Sequence, residues 1–456
     1  MRAEAARMVL EGIAAGSQNG SIEPTRRLIA EVFRQDAGQA IATLIGQTGS
    51  FDLAEDALQD ALVTALERWP VEGVPPRPAA WLMTTARRKA IDRLRRNATL
   101  ANKQEQLTVL VRLEQQEREA ASAPEDWMDA MRDEIPDDRL KLLFTCCHPA
   151  LEMEARVALT LHTLGGLTTP EIAAAFLVPT PTMAQRLTRA KRKIREARIP
   201  YRTPPLDLLP ERLPALLAVL YLIFNAGYTA PTGAQLQRRD LCDEAIRLAR
   251  ILVGVSAREE LDRAAQAEAQ GVLALMLLHH SRRDARLRSD GALLLLGEQD
   301  RATWNQHNIR EGSALVEQAL RLRRPGPYQV QAAIAAVHAQ AMRAEETDWS
   351  QIAALYGVLA SMTCSPVVEL NRAVAVAMAD GSLAGLAMLH SASLAEPLAN
   401  YHLYHAARAD LLRRSGQHGE ALQAYQQALD LCQNAVERAF LTHRIAELSA
   451  VGGDGV

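Results

Sequence analysis

Small residues recur at one interval through the last third of this chain. Ala341, Ala375 and Ala409 lie 34 residues apart, and so do Ala319, Ala353, Ala387 and Ala421. That period predicts stacked helix–turn–helix units, because two helices approach closely only where the side chains between them are short. The last unit is the plainest. In "YHLYHAARADLLRRSGQHGEALQAYQQALDL", residues 401–431, Gly416 marks a turn, and Ala421, Tyr425 and Ala428 fall on one face of the following helix. Composition points the same way: 48% of the residues are apolar but only 4% aromatic, a mixture that favours helix over sheet. The expected fold class is all-α, with an irregular helical bundle as the competing reading of the repeat region.

Punctuation along the chain predicts six segments. Residues 1–24 read as a leader ending in the loop "GSQNGSIEP". Residues 25–97 carry helical apolar spacing, broken once by "WPVEGVPPRPAA" (69–80), where four prolines forbid a continuous helix. Residues 98–136 are mostly polar; from Ala101 to Asp138 eleven acidic side chains face four basic ones, which predicts a solvated tether. Residues 137–203 form a second small helical domain closed by "PYRTPP". A helical extension follows over 204–327, in which "ARLRSDGALLLL" (285–296) carries an Asp-Gly turn signal for a β-hairpin, and 328–456 hold the repeats.

The second small domain contains "TTPEIAAAFLVPTPTMAQRLTRAKRKIREA", residues 168–197. Thr169-Pro170-Glu171 predicts a capped helix start and Thr180-Pro181 a second one; "LVP" turns the chain between them. On the second helix, running to about Arg198, Met183, Leu187, Ala190 and Ile194 form the inward stripe, leaving Thr182, Gln185, Arg186 and Arg189 outward. From Arg186 to Arg198 seven residues are basic and one is acidic. A helix-turn-helix delivers such a second helix to the major groove, with arginine reading base edges and lysine holding phosphate. The alternative is a solvated amphipathic helix. It leaves the missing balancing acids unexplained, since the chain as a whole is nearly neutral, at −3.

A second cationic helix lies about a hundred residues earlier. In "AWLMTTARRKAIDRLRRN" (80–97), Arg87, Arg88, Lys89, Arg93, Arg95 and Arg96 stand against Asp92 alone, over a buried stripe including Trp81, Leu82, Ala86, Ala90, Ile91 and Leu94. Just before it, "DLAEDALQDALVTALERW" (52–69) presents Asp52, Glu55, Asp56, Gln59 and Asp60 on one face. That face repels DNA and calls for another partner.

The order of acidic helix, proline-interrupted loop, basic helix, tether and helix-turn-helix over about residues 26–200 resembles a bacterial RNA polymerase sigma factor of the extracytoplasmic-function type. The resemblance implies that Asp52, Glu55, Asp56, Gln59 and Asp60 bind the β′ clamp helices of core RNA polymerase. It places residues 70–80 with Arg87, Arg88, Lys89, Arg93, Arg95 and Arg96 at a flipped-base minus-10 element of promoter DNA. It puts Thr182, Gln185, Arg186 and Arg189 at minus-35 base edges and Lys191, Arg192 and Lys193 near phosphate, with the β flap as the second polymerase contact. Leu177, Pro181 and Ala184 depart from the glycine, glycine and lysine common in that pattern. The 401–431 unit resembles a tetratricopeptide repeat, with about three units from 328 onward. The whole resembles the sigma subgroup with a long helical C-terminal extension thought to replace a separate anti-sigma protein, and the repeats offer a surface for a protein or peptide regulator. The rival reading is a stand-alone helix-turn-helix regulator with a repeat-type sensor.

Other chemistries find little support. Five cysteines at 146, 147, 242, 364 and 432 show no metal-like spacing and fit thiols in a reducing cytoplasm. Cys146-Cys147-His148 ends an apolar helix, where buried thiols are the plain reading. His279-His280 with Asp284 reads as the end of a buried helix, since adjacent histidines diverge by about 100° on a helix. No catalytic, metal or cofactor site is expected. "LPALLAVLYLIF" (213–224) is too short to span a bilayer, and no apolar signal segment opens the chain.

Overall fold

The computed structural model describes residues 40–101, 113, 138–165, 167–176, 178–204, 208–229, 237, 239–258, 262–288 and 290–453. The leader (1–24) lies outside them, as does the tether except for 98–101 and Leu113. Among the described residues the architecture is all-helical and no strand forms. The chain divides into two compact units, Met1–Leu208 and Leu209–Val456.

In the first unit α1 (40–48) leads into α2 (Phe51–Glu72) and α3 (Pro78–Ala101). Ser50 caps α2 by accepting from the Leu53 amide at 3.3 Å, meeting one of the orphan N–H groups of the first turn. Phe51, Ala54, Ala57, Leu58, Ala61, Leu62, Ala65 and Trp69 line the buried face of α2, and Leu82, Ala86, Ala90, Ile91 and Leu94 answer from α3. Trp69 and Trp81 meet edge to face with centroids 5.4 Å apart. The proline-rich interruption is shorter than its sequence implied. α2 continues through Pro70 to Glu72, and Gly73, at φ 87°, ends it. A proline this close to the helix end removes one amide bond without breaking the helix. α3 also runs past 97, and Leu113 is fully buried against Ile91 and Leu94, so at that residue the tether packs instead of being solvated.

The rest of this unit is α4 (138–146), α5 (Met153–Thr163), α6 (Thr169–Ala175) and α7 (Thr180–Glu196). Thr168, one residue before the expected Thr169, starts α6: its amide donates to Glu171 Oε2 at 2.8 Å and its Oγ1 accepts from the Glu171 amide at 3.3 Å. This reciprocal box works because both groups sit one turn apart. Thr180 is the first helical residue of α7, and no side chain caps that helix.

The second unit comprises α8 (Leu209–Tyr228), α9 (Arg239–Arg258), α10 (Arg263–Ser281), α11 (Gln306–Arg321), α12 (Pro327–Gln340), α13 (Trp349–Thr363), α14 (Pro366–Asp380), α15 (Ser382–Leu389), α16 (Ala392–Ala395), α17 (His402–Arg414), α18 (His418–Leu431) and α19 (Ala435–Gly453). α10 is buried on nearly every side. Gly271 allows this, since a Cβ there would lie 2.7 Å from the Gln329 amide nitrogen. α12 packs most on α10, and from α13 onward the longer helices pack mainly on their neighbours in sequence, as in a stacked array. Of the alanines at the 34-residue interval, Ala319, Ala375, Ala409 and Ala421 are buried, Ala341 and Ala353 are half-buried, and Ala387 is exposed. The expected hairpin at 285–296 reduces to one antiparallel bridge between Leu287 and Leu293 around Gly291. One bridged residue on each arm is too few to propagate a ladder.

Candidate nucleic-acid interface

On α7 the buried stripe is Met183, Leu187, Ala190 and Ile194, as their three-to-four spacing dictates. Thr182, Gln185, Arg189, Arg192 and Lys193 are exposed, and Arg186 and Lys191 are half-buried. Arg186 pairs with Glu154 at 2.8 Å and lies over the Phe176 ring. Arg192 pairs with Glu196 one turn on, at 3.7 Å. The outer face therefore keeps a threonine, a glutamine and several cations available to a polyanion.

The α3 cations divide. Arg88, Arg95 and Arg96 are exposed, and Lys89 is half-buried. Arg87 is buried, with Nε donating to Gln47 Oε1 at 3.2 Å; it points into the domain, where the sequence reading had placed it on the outer face. Arg93 is held by both Asp56 and Asp60, donating to Asp60 through Nε at 3.1 Å and Nη2 at 2.8 Å. Position on the helix explains the split. Residues 87 and 94 lie about two turns apart, so Arg87 shares the flank of buried Leu94, while Arg93 faces the acidic row of α2.

The acidic face meets this chain's own cations. Glu55 receives Lys191 Nζ at 2.5 and 2.6 Å, with His162 Nε2 3.5 Å from the same carboxylate. Arg195 Nη1 lies 3.3 Å from Asp52 Oδ2. The Lys191 and Glu55 side chains are only 14% and 17% exposed, against 70% and 63% for Arg195 and Asp52, so the first pair is little screened by water and the second contributes little. Four of the five acidic-face residues, all but Gln59, are thus engaged by α3 or by the helix-turn-helix side.

Three participants carried no sequence signal. Tyr201, in the closing proline segment, donates its hydroxyl to the Ala42 carbonyl at 2.6 Å and lies 2.9 Å from that of Asp138. His162 and Glu154 sit on α5, outside any basic or acidic cluster. The thiols of Cys146 and Cys147 are buried beside Thr163 and Thr160; burial pushes both up, Cys147 to about 12, so neither is a ready nucleophile. His279 closes buried α10, and His280 lies 3.0 Å from Asp243. His402, Cys432 and Glu437 bring ligand-type atoms within 4.8 Å of one another, a cluster their spacing in sequence did not announce. Among the described residues no helix is long and apolar enough to cross a membrane.

Residues 33–99 match the family model described as Sigma-70 region 2, residues 141–194 that of Sigma-70, region 4, and residues 212–320 a family of unknown function (DUF6596). An uncharacterized protein of Rhizobium meliloti (strain 1021) is 43% identical over 413 residues, 90% of this chain and 94% of its own length. A region 2 and a region 4 in succession along the first helical unit define a factor for promoter-specific transcription that works with core RNA polymerase and promoter DNA. The chain belongs to the sigma-70 family, with regions 2 and 4 followed by a long C-terminal extension.

Proposed function

We propose that this sigma factor reads a minus-35 element with α7 and opens a minus-10 element with α3, while the acidic face of α2 docks on the β′ clamp helices and the helix-turn-helix domain meets the β flap. Thr182, Gln185 and Arg189 contact base edges, with Arg186 beside them once released from Glu154; Lys191, Arg192 and Lys193 hold phosphate. Arg88, Lys89, Arg95 and Arg96 hold the minus-10 strand next to the 73–77 loop, and Arg93 orders the acidic row. Arg87 supports α3 from inside. The tether runs toward the polymerase active centre. The extension, with tetratricopeptide-like repeats for a protein or peptide regulator, tunes activity in the cytoplasm.

The observation that carries this reading is a helix with a fully apolar inner face and an outer face offering Thr182, Gln185, Arg189 and Lys193 to solvent. The test is run-off transcription with core polymerase on a promoter library. Arg189→Ala is expected to relax preference at one minus-35 position, with a loss of about 1–3 kcal/mol in discrimination. Unchanged base preference would refute the α7 assignment.

A further inference from the structure

We propose that the C-terminal unit holds a binding site for a small amphipathic anion, a molecule with a planar apolar body and one carboxylate, sulfonate or phosphate head, in a cavity between α8, α10, α12, α13, α14 and α17. The cavity measures about 780 Å³, within the range of sites that enclose a small organic ligand.

Its wall has the composition of a ligand site and not of a packing defect. Tyr221, Tyr228, Trp304, Tyr356 and Tyr401 line it, with leucine, isoleucine and valine side chains between them. Aromatic rings on several sides favour a flat apolar body through stacked and edge contacts. Asn225, Gln331 and Asn371 add amide groups that could fix an orientation.

Charge selects the head group. Arg282, at the C-terminal end of α10, is the one Lys or Arg among the lining residues, and the lining contains no carboxylate. Its guanidinium lies over the Tyr228 ring at 5.6 Å, and among the described residues no acid pairs with it. His279 and His338 line the same wall; burial depresses both, to about 3 and about 4, so they stand as neutral polar groups. Tyr228 Oη, Trp304 Nε1 and His338 Nδ1 are buried without a hydrogen-bond partner, and such groups are rare unless water or a ligand meets them. A cation without its acid on the wall of one aromatic chamber fits an anionic, ring-bearing molecule. The lining joins α8 and α10, inside the matched 212–320 segment, to α14 and α17 of the repeats, so occupancy would tie these parts of the unit together.

Fluorescence titration of the full chain decides the matter. The probes are 1-anilinonaphthalene-8-sulfonate, an aromatic sulfonate, and the uncharged N-phenyl-1-naphthylamine. Saturable binding of the sulfonate at one per chain is expected. Arg282→Met should weaken it about tenfold while leaving the neutral probe within about twofold, and Arg282→Lys should restore most of the affinity. Ala335→Trp, which fills the cavity from a buried lining position, should remove both probes; if circular dichroism shows that variant unfolded, the two Arg282 variants decide alone. Non-saturable sulfonate binding, or equal affinity in Arg282→Met, overturns the proposal. The readout does not involve transcription, so it stands or falls independently of the promoter-binding assignments.

Discussion

Single residues in the second unit do work that their type alone would not announce. The Glu268 carboxylate sits at the start of α12, accepting from the Tyr328 and Gln329 amides at 3.1 Å each and from Gln329 Nε2 at 3.2 Å. A helix N-terminus with no capping side chain of its own is thereby met by an acid from another helix. Glu268→Ala is expected to cost about 1–3 kcal/mol in urea unfolding, because buried amides lose their acceptor. At the other end of α12, Arg301 Nη1 donates to the His338 and Ala341 carbonyls at 2.8 Å. His279 and His338 set a pH dependence. Burial holds their folded values at about 3 and about 4, below the ordinary 6.5. Below pH 6.5 the unfolded chain binds protons that the folded chain does not, so stability present above 6.5 falls with pH toward those folded values. Thermal melts between pH 7.5 and 5 should show a falling midpoint, and His338→Gln should flatten the fall.

At the level of elements, α2 and α7 hold opposite charge and satisfy each other. Lys191 cannot grip phosphate while its ammonium lies between the Glu55 oxygens, nor can Glu55 greet a polymerase helix in that arrangement. On the proposed assignments, promoter engagement requires this half-buried pair to part. Glu55→Gln should raise the affinity of the chain for promoter DNA several-fold in the absence of polymerase, measured by gel shift at low salt, because Lys191 is released. Asp52→Asn, whose partner Arg195 is already solvated, should change little. The face itself was legible in sequence from the spacing of Asp52, Glu55, Asp56 and Asp60. What it touches was not, because Glu55 and Lys191 are 136 residues apart and periodicity carries no information about distant pairing.

For the whole molecule, near-neutral charge means that DNA affinity resides in local patches and must weaken steeply with salt. The slope of log affinity against log salt should fall by about one for Lys193→Ala, with base preference unchanged, whereas Arg189→Ala alters preference as well. An identical salt slope in Lys193→Ala would remove that residue from the phosphate contacts.

Periodicity determined the helical class, the inward stripe of α7 and the outward position of Thr182, Gln185 and Arg189, because apolar spacing fixes which side of a helix faces the core. Clustering of like charge marked two cationic helices and one acidic face. Tertiary packing alone decided that Arg87 is buried, that Arg93 serves the acidic row, that Leu113 leaves the solvated tether for the core, and that Glu55 is closed by Lys191. It also decided that aromatic residues from α8, α13 and the segments just before α11 and α17 line one cavity with Arg282. Each of these depends on contacts between residues far apart in the chain, and the energy of such contacts is set by burial and partner, which no local pattern encodes.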